Sequence, residues 1–316
     1  MIATITPNPS IDRTVFVDEL VPGKLHRVRL VRRDPSGKGV NVSRALKCLG
    51  MDSIAFGFLG GDPGRELEEG IKALGISTRF TWVSGDTRTN TKVVEDKTGR
   101  MTEINEPGPL VSDGDIERLK ETILSAAADK EFEFAVLSGS RPPGVPDDFY
   151  SDLVALLNKH GVKTILDCDG SALRLGIEAR PFMIKPNRFE MEMLFGKAFP
   201  SAGEIVEAAT DLLGKGLSVV VISLGAEGAI FVRGNARENE ICWARAGGPV
   251  EPKSTAGCGD TMVASILLAL QRGWSWEYTA RFAVAAATVA ATKEGTQFPA
   301  YDEALDALRL VKLVRL

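Results

Sequence analysis

Histidine is almost absent from this chain, with only His26 and His160 among 316 residues. Neither lies in the spacing of a serine–base pair or of a metal-binding motif, so a histidine-driven hydrolase or a zinc enzyme has little support. The four cysteines are scattered and form no C-x-x-C pair, which predicts ordinary reduced thiols. Carboxylates and amides must therefore carry any chemistry.

The chain also lacks the features of a nucleic-acid-binding or membrane protein. Its formal net charge is −4 and it has no basic stripe, so nucleic acid has little electrostatic reason to bind. The longest apolar tract, 282–291, is shorter than the ~20 residues that cross a bilayer and is better explained as a buried helix. The sequence opens on strand-like residues without a signal-peptide pattern, so we expect a cytoplasmic protein.

Two common nucleotide-binding motifs are missing as well. The P-loop pattern G-x-x-x-x-G-K-[ST] is absent, and neither G-x-G turn continues to the third glycine of a dinucleotide fingerprint. A dinucleotide-dependent oxidoreductase is therefore a weak alternative. Any nucleotide must bind through another arrangement.

Helical and strand-like patterns alternate along the chain. Helical periodicity runs through 41–49, 115–128, 147–159 and 202–213, and short apolar runs typical of buried strands occupy 134–137, 164–166, 182–184 and 218–222. This alternation predicts right-handed βαβ units and a mostly parallel sheet with helices on both faces. In such sheets, ligands bind beyond the carboxyl ends of the strands.

Two segments, 11–33 and 88–105, break this alternation. Alternating residues at 91–95 and a turn at 96–99 predict antiparallel hairpins. We expect these hairpins to form a small β lid beside the main sheet, where a lid would exclude water from a phosphoryl transfer. A pair of edge hairpins with no moving role is the alternative.

Two glycine-rich turns that each open a helix are the most informative features of the sequence. One is the stretch GKGVN at 37–41, and the other is GCGD at 257–260. Backbone N–H groups at a helix start have no intrahelical partner and attract anions, and glycine lets a ligand approach closely. Asp260, at the end of the second turn, could accept a proton from a hydroxyl, which indicates transfer of a phosphoryl group. Taken alone, Asp260 is better explained as a helix cap.

Seven motifs, in order along nearly the whole chain, carry a family resemblance. They are Asn8-Pro9-Ser10-Ile11-Asp12, the 37–41 turn, Thr87-Arg88-Thr89-Asn90, Ser138-Gly139-Ser140 with Pro142-Pro143-Gly144, Lys185-Pro186-Asn187 with Glu190, Ser223-Leu224-Gly225-Ala226-Glu227-Gly228, and the 257–260 turn. The set resembles the phosphofructokinase B branch of the ribokinase-like sugar kinases. The resemblance implies one three-layer α/β/α domain over 1–316, an ATP- and Mg²⁺-dependent phosphotransferase, and a homodimer formed through the lid.

The resemblance also implies a role for each matching residue. Asp260 would be the general base, and the amides of Gly257, Cys258 and Gly259 would help to form the anion hole. The sugar and its existing phosphate would be held by Asp12, Lys24, Gly37, Lys38, Gly39, Asn41, Arg88, Ser138 and Ser140. The nucleotide would contact Lys185, Asn187, Ser223, Gly225 and Gly228, with Glu190 linked to Mg²⁺, usually through water.

The substrate class follows from the cationic residues of that set. Lys24, Lys38 and Arg88 favour an acceptor that already carries phosphate over a free sugar or a nucleoside, although each could be a solvated surface charge. Within the phosphosugars, the resemblance implies fructose 1-phosphate as the favoured acceptor and leaves tagatose 6-phosphate and fructose 6-phosphate open. A phosphosugar-binding sensor without catalysis is the alternative from another class.

The sequence departs from the family pattern at three places. Cys258 stands where alanine or serine is usual, and at a helix N-terminus its thiol pKa is predicted to fall, which would make it reactive. Arg141 stands where leucine is usual, and either adds a charge near the sugar or points to solvent. Ala286-Ala287-Thr288 replaces a more typical glycine-serine pair, which leaves the adenine contacts open.

Overall fold

The computed structural model describes residues 1–234 and 238–314. Within these residues, ten strands form one large sheet. Their order across the sheet is β14 (Val311–Val314), β13 (Glu240–Ala246), β12 (Ala229–Arg233), β11 (Val219–Ser223), β10 (Met183–Ile184), β9 (Lys163–Asp167), β8 (Phe134–Ser138), β1 (Ile2–Thr6), β4 (Ser53–Leu59) and β5 (Ser77–Trp82). Strands β11 through β5 run parallel, whereas β12, β13 and β14 pair antiparallel at one edge. The predicted mostly parallel sheet is confirmed.

Helices cover both faces of this sheet. One face packs against α1 (Lys38–Cys48), α8 (Cys258–Gln271), α9 (Trp276–Ala291) and α10 (Tyr301–Ala307). The other face packs against α3 (Asp113–Ala128), α4 (Phe149–Lys159), α5 (Gly170–Glu178), α6 (Arg188–Phe195) and α7 (Ala202–Gly214). Alternation along β1 shows the cause: Ile2 joins the first cluster, while Ala3 and Ile5 join the second. The result is the three-layer α/β/α arrangement.

The helices predicted from periodicity are present, with shifts at their starts. The 282–291 tract lies within α9 and is largely buried, as predicted for a helix inside the protein. Helix α1 begins at Lys38, earlier than the predicted start, because the glycine turn runs directly into it. No helix in the described part of the chain is long and apolar enough to cross a bilayer.

The remaining four described strands form a smaller sheet that we call the lid. Its order is β3 (Leu30–Ser36), β2 (Ser10–Val17), β6 (Arg88–Glu95) and β7 (Met101–Ile104). The two predicted hairpins are antiparallel, but they join through a parallel pairing of β2 with β6. Strand β3 also extends beyond the predicted segment and delivers the chain to Gly37. Helix α2 (Gly61–Ala73) contacts β2 and β3 of the lid and β5 of the large sheet.

The carboxyl ends of the parallel strands meet at one edge of the large sheet. Thr6, Ser138, Asp167 and Ser223 are the last residues of β1, β8, β9 and β11. The starts of α1 and α8 lie at the same edge, because Lys38 reaches Asp167 and Gly259 lies against Lys185. This is where an open parallel sheet holds its ligands.

Candidate active site

Asp260 lies at the start of α8 and is buried. Its side chain does not cap the helix; instead Asn41 Nδ2 on α1 donates to Asp260 Oδ2 at 2.9 Å. Gly257 precedes the helix at φ 82°, a left-handed conformation that favours glycine. Asn41 therefore joins the two glycine turns, with the carboxylate between them.

Burial, together with the nearby carboxylate of Asp167, raises the pKa of Asp260 to about 6. The hydrogen bond from Asn41 and the positive charges of Lys38 and Lys185 oppose this rise. A carboxylate with a pKa just below neutrality is ionised at pH 7 and is still a better proton acceptor than an exposed aspartate. Asp260 therefore has the environment of a general base.

Asp167 connects two lysines at the carboxyl edge. Its Oδ1 lies 3.2 Å from Lys38 Nζ and 3.5 Å from Lys185 Nζ, and its carboxylate is buried. Burial alone would raise the pKa of Asp167, but the two lysines outweigh it and the pKa is lowered. Asp167 in turn raises the pKa of Lys38, so the Lys38 ammonium stays charged at neutral pH. Among the described residues, Asp167 Oδ2 has no hydrogen-bond partner.

The glycines of the first turn make room for this cluster. A side-chain carbon at Gly39 would overlap with Thr6 Oγ1 and lie 3.0 Å from Ser138 Oγ. Gly37 has φ 118°, and a side chain there would press on Thr6 and Pro9. Ser138 is buried, and its hydroxyl has no hydrogen-bond partner among the described residues. With glycine at both positions, the backbone of the 37–41 turn lies directly against the ends of β1 and β8.

Asp12 lies on β2 of the lid and is surrounded by donors. Lys92 Nζ lies 2.7 Å and Ser36 Oγ 2.9 Å from its Oδ2. Ser10 Oγ lies 3.1 Å and Asn90 Nδ2 3.5 Å from its Oδ1. These four donors fix the Asp12 carboxylate in place as an acceptor on β2.

Arg88 borders a cleft of about 450 Å³. The cleft is lined by Asn8, Arg88, Glu106, Pro107, Ser140 and residues 141–145. Arg88 Nη2 donates to the carbonyl of Asn8 at 2.9 Å, whereas its buried Nε has no partner among the described residues. Ser140 accepts a hydrogen bond from Asn8 Nδ2 at 3.3 Å. Arg88 and Ser140, predicted separately, thus share one cleft.

Lys24 and Arg141 lie differently from the residues above. Lys24 is exposed in the loop between β2 and β3, and no described residue bonds to its side chain. Arg141 lines the cleft, but its guanidinium pairs with Asp147 at 2.6 Å and donates to the carbonyl of Val145 at 3.0 Å. The charge of Arg141 is therefore held within its own loop and does not point freely to solvent.

The nucleotide-side residues form a second cluster around α6. Asn187 Oδ1 accepts from the N–H of Glu190, and Glu190 Oε2 accepts from the N–H of Asn187, each at 2.8 Å. This reciprocal pair is a capping box, and it leaves Glu190 Oε1 available. Asn187 also bridges to Ser223 at the end of β11.

The loop that follows Ser223 is shaped by two glycines. Gly225 and Gly228 adopt φ 61° and 87°, and a side chain at Gly228 would overlap with the carbonyl of Ala244. The loop is exposed at 225–227, so it forms an open floor beside the strand ends. Ala287, by contrast, belongs to the core cluster of α8 and α9.

The predicted reactivity of Cys258 is wrong. Burial, together with the charge of Asp260, raises the pKa of its thiol to about 11. Partial burial and the neighbouring carboxylate outweigh the helix N-terminus. The thiol is protonated at neutral pH.

Two residues of the site, Asp167 and Lys92, were not identified from the sequence. Asp167 directly follows a predicted strand, so an acidic residue at the carboxyl edge was an available signal. Lys92 lies in the alternating 91–95 segment and was not separated from other surface lysines. Its importance depends on the pairing of β6 with β2, which the local pattern does not report.

The family model of pfkB family carbohydrate kinases matches residues 6–303. The chain belongs to this family. It is therefore a phosphotransferase, and the resemblance, the fold class and the kinase activity expected from the sequence are confirmed.

Two relatives of the kinase match over almost its whole length. The 1-phosphofructokinase of Escherichia coli strain K12 is 37% identical over 292 residues, covering 92% of this chain and 91% of that protein. The 1-phosphofructokinase of Bacillus subtilis strain 168 is 34% identical over 298 residues, covering 93% of each. At this identity and coverage the two relatives support the family assignment independently.

Solved structures agree with the kinase in fold. A possible 1-phosphofructokinase from Thermotoga maritima superposes with a TM-score of 0.90 at 28% identity, covering 100% of this chain and 99% of that one. Phosphofructokinase-2 from Escherichia coli, in complex with substrates and products, gives 0.89 at 29% identity, covering 98% of each chain.

Proposed function

We propose that this kinase transfers the γ-phosphoryl group of ATP to a hydroxyl of a ketohexose phosphate, with fructose 1-phosphate as the acceptor and fructose 1,6-bisphosphate as the product. The observation that carries the proposal is the buried Asp260 carboxylate, held 2.9 Å from Asn41 at the start of α8. The relatives named 1-phosphofructokinase support the choice of acceptor.

Asp260 accepts the proton of the attacking hydroxyl in this mechanism. The hydroxyl oxygen forms a bond to the γ-phosphorus as the bond to the leaving oxygen of ADP breaks, and the proton passes to Asp260. The N–H groups at the start of α8 have no intrahelical partner and face the charge that develops on the transferred oxygens. Positioning and electrostatics carry most of the acceleration, with general-base help of roughly 10²–10⁴-fold.

The acceptor lies between the lid and the first glycine turn. Asp12 accepts a hydrogen bond from one of its hydroxyls and Asn41 hydrogen-bonds another, and the close approach at Gly37 and Gly39 admits the sugar to the strand ends. The existing phosphate pairs with Lys38 and with Arg88, whose buried Nε has no partner within the described parts of the chain. Ser138 and Ser140 face the sugar. Lys24 reaches the phosphate only through movement of its exposed loop.

ATP binds over the second cluster. Lys185 lies beside the Gly259 turn and is placed to contact the phosphates, while Ser223, Gly225 and Gly228 form the floor beneath the nucleotide. The free oxygen of Glu190 and the Asn187 side chain fit a magnesium ion that keeps most of its water and is shared with the nucleotide. No cluster of three or more acidic, histidine or cysteine ligands occurs in the described chain, which also fits a nucleotide-borne ion. Bound Mg²⁺ supplies positive charge to the phosphate oxygens.

Magnesium-dependent ADP release tests the proposal. The purified protein is assayed with fructose 1-phosphate, tagatose 6-phosphate, fructose 6-phosphate, free fructose and ribose. Preference for fructose 1-phosphate supports the proposal, and preference for another phosphoketose replaces the acceptor but keeps the chemistry. Activity on free sugars alone contradicts the phosphate-binding roles of Lys38 and Arg88. If the protein binds ATP but releases no ADP with any of these acceptors, a non-catalytic phosphosugar sensor is favoured.

Asp260→Asn tests the assigned base. The substitution keeps size and removes proton affinity, so turnover should fall by roughly 10²–10⁴-fold with little change in acceptor binding. Near-normal turnover of this variant contradicts the assignment.

We also infer assembly of two copies through the lid. The lid and its loop expose Leu25, Val28, Leu30, Val31, Met101 and Ile104, an unusual concentration of apolar side chains on so small a sheet. Light scattering coupled to size-exclusion chromatography should give twice the chain mass for the native protein. Leu30→Glu should yield the monomer, and a monomeric native protein contradicts the inference.

A further inference from the structure

Arg44 lies behind the proposed base and contacts three separate parts of the site. Its Nη1 donates to the carbonyl of Pro35 at 2.8 Å and to Asn41 Oδ1 at 3.4 Å. Its Nη2 donates to the carbonyl of Thr296 at 3.3 Å. The same guanidinium lies 5.1 Å from the ring centre of Phe298. A partly buried arginine with four such contacts is a fixed element of the structure.

The contact to Asn41 determines which way its amide points. Arginine has only donors, so the Asn41 oxygen must face Arg44 and the Asn41 nitrogen must face away. The nitrogen then donates to Asp260. A reversed amide would place N–H groups against the guanidinium and an oxygen against the carboxylate, which are both repulsive.

The two carbonyl contacts connect two other segments of the chain to helix α1. Pro35 belongs to β3 of the lid, next to Ser36, whose hydroxyl donates to Asp12. Thr296 and Phe298 lie against the second glycine turn, because a side chain at Gly257 would come within 3.0 Å of Thr296 and 3.2 Å of Phe298. Arg44 therefore joins α1, the lid and the cover of the Gly257 turn.

We propose that Arg44 is a positioning residue that fixes the Asn41 amide against Asp260 and ties the lid and the 292–298 segment to helix α1. The proposal rests on the function proposed above, and it adds to that function a residue that contacts neither substrate nor nucleotide. Arg44 acts through Asn41.

Several groups around Asp260 affect its pKa, and an experiment must separate the effect of the Asn41 hydrogen bond from theirs. The charged groups come from α1 and from the ends of β9 and β10, namely Lys38, Arg44, Asp167 and Lys185, and the uncharged thiol of Cys258 lies on α8 itself. Asp167 raises the pKa of Asp260, while Lys38, Lys185 and the Asn41 hydrogen bond lower it. Loss of the Asn41 hydrogen bond should thus raise this pKa, because the ionised form loses a donor.

The experiment is the pH profile of kcat for Arg44→Met. Native turnover should fall below a midpoint near the Asp260 pKa of about 6. In Arg44→Met the midpoint should move upward by about one unit, with turnover recovering at higher pH. Asn41→Ala should move it similarly, and the double variant should move it no further. An unmoved midpoint in Arg44→Met, or additive shifts in the double variant, overturns the proposal.

Arg44→Lys separates positioning from charge. Lysine keeps the charge but has one nitrogen and cannot serve acceptors in three directions, so the midpoint should stay displaced. A midpoint at the native position overturns the proposal, because charge alone would then explain the effect. This variant also carries the test if Arg44→Met does not fold.

Arg281→Met is the matched control. Arg281 is a partly buried arginine that donates to the carbonyl of Leu308 at 3.0 Å, and it lies on α9 outside the site. Arg281→Met should lower the melting temperature without moving the midpoint of the kcat pH profile. A shift of this midpoint as large as that in Arg44→Met would show a general effect of losing a buried arginine and would overturn the proposal. Absence of kinase activity in the native protein would refute the proposed function itself, which is a distinguishable failure.

Discussion

The ammonium group of Lys92 on β6 lies 2.7 Å from Asp12 Oδ2 on β2, and both side chains are nearly buried in the lid. Together with Ser10, Ser36 and Asn90, Lys92 saturates the Asp12 carboxylate with donors. A sugar hydroxyl that binds Asp12 must therefore share its oxygens with these donors. Lys92 is the longest of them and has three protons, so it can shift towards the sugar oxygen while it still donates to Asp12.

Lys92→Met should impair acceptor binding more than turnover. Removing a charged hydrogen bond at a substrate-binding carboxylate should raise KM for the phosphoketose roughly ten- to hundred-fold, with a smaller effect on kcat. Steady-state kinetics measure this split. Lys97→Met, on an exposed lysine of the lid, is the control and should be kinetically native. Equal behaviour of the two variants would contradict the role of Lys92.

Asp260→Asn should stabilise the folded protein near neutral pH. Burial raises the pKa of Asp260 to about 6 in the folded state, against about 3.9 in an unfolded chain. Between these two pKa values the folded state keeps Asp260 protonated while the unfolded chain does not. The stability that this group contributes is therefore present at low pH and is lost as pH rises through about 6. At pH 7 and above, the charged carboxylate costs roughly 2–3 kcal/mol, which asparagine avoids.

Thermal unfolding at several pH values measures this effect. The gain of Asp260→Asn over the native protein should be largest above neutrality and disappear near the unfolded pKa. A variant that is less stable at every pH would show that the burial of this carboxylate is not the dominant cost.

Gly39→Ala should disrupt the acceptor site. The added methyl group overlaps with Thr6 Oγ1 and presses on Ser138 Oγ, so the first glycine turn must shift from the strand ends. We expect acceptor affinity to fall and the melting temperature to drop. Gly114→Ala is the matched control, because Gly114 is also the second residue of a helix and has open space around it. The control should be neutral or slightly stabilising.

Cys258 should resist alkylation and tolerate replacement. With a thiol pKa of about 11, only a small fraction is thiolate near neutral pH. Mass spectrometry after brief iodoacetamide treatment should find Cys258 largely unmodified, and Cys258→Ala should retain near-native turnover. Rapid loss of activity on alkylation, protected by mutation of Cys258, would contradict the raised pKa.

Glu190→Gln should raise the Mg²⁺ concentration needed for half-maximal turnover. Glutamine keeps the hydrogen bond to the N–H of Asn187, so the capping box and the folded stability should be nearly preserved. Asn187→Ala, in contrast, should lose about 1 kcal/mol of stability through the lost cap. An unchanged Mg²⁺ requirement in Glu190→Gln would leave the residue with a capping role only.

The local pattern of apolar residues was sufficient to predict the large sheet and its helices. The run 134–137 lies in β8, and 219–222 of the predicted run 218–222 lies in β11; both are apolar and buried on both faces, as predicted for strands covered on both sides. The two glycine turns were also recognisable, because their spacing and the helices that follow them are encoded within a few residues. Asp260 and Asn41 could therefore be placed in a site, although their direct contact could not be foreseen.

Long-range pairing explains what the sequence did not reveal. The role of Asp167 depends on lysines from α1 and from the end of β10, and the role of Lys92 depends on the β2–β6 register. The balance of burial against the helix N-terminus at Cys258 is likewise a property of packing. Lys24 as a phosphate ligand stays a prediction, since the described structure leaves its side chain exposed.

The parallel pairing of β2 with β6 also constrains synthesis of the chain. Strands β2 and β3 emerge early, whereas β6 follows only after β4, α2 and β5. Until then, β2 has an unpaired edge open to any extended neighbour. The growing chain therefore passes through an interval in which half of the lid is exposed to misassembly, and the same strand later contributes Asp12 to the finished enzyme.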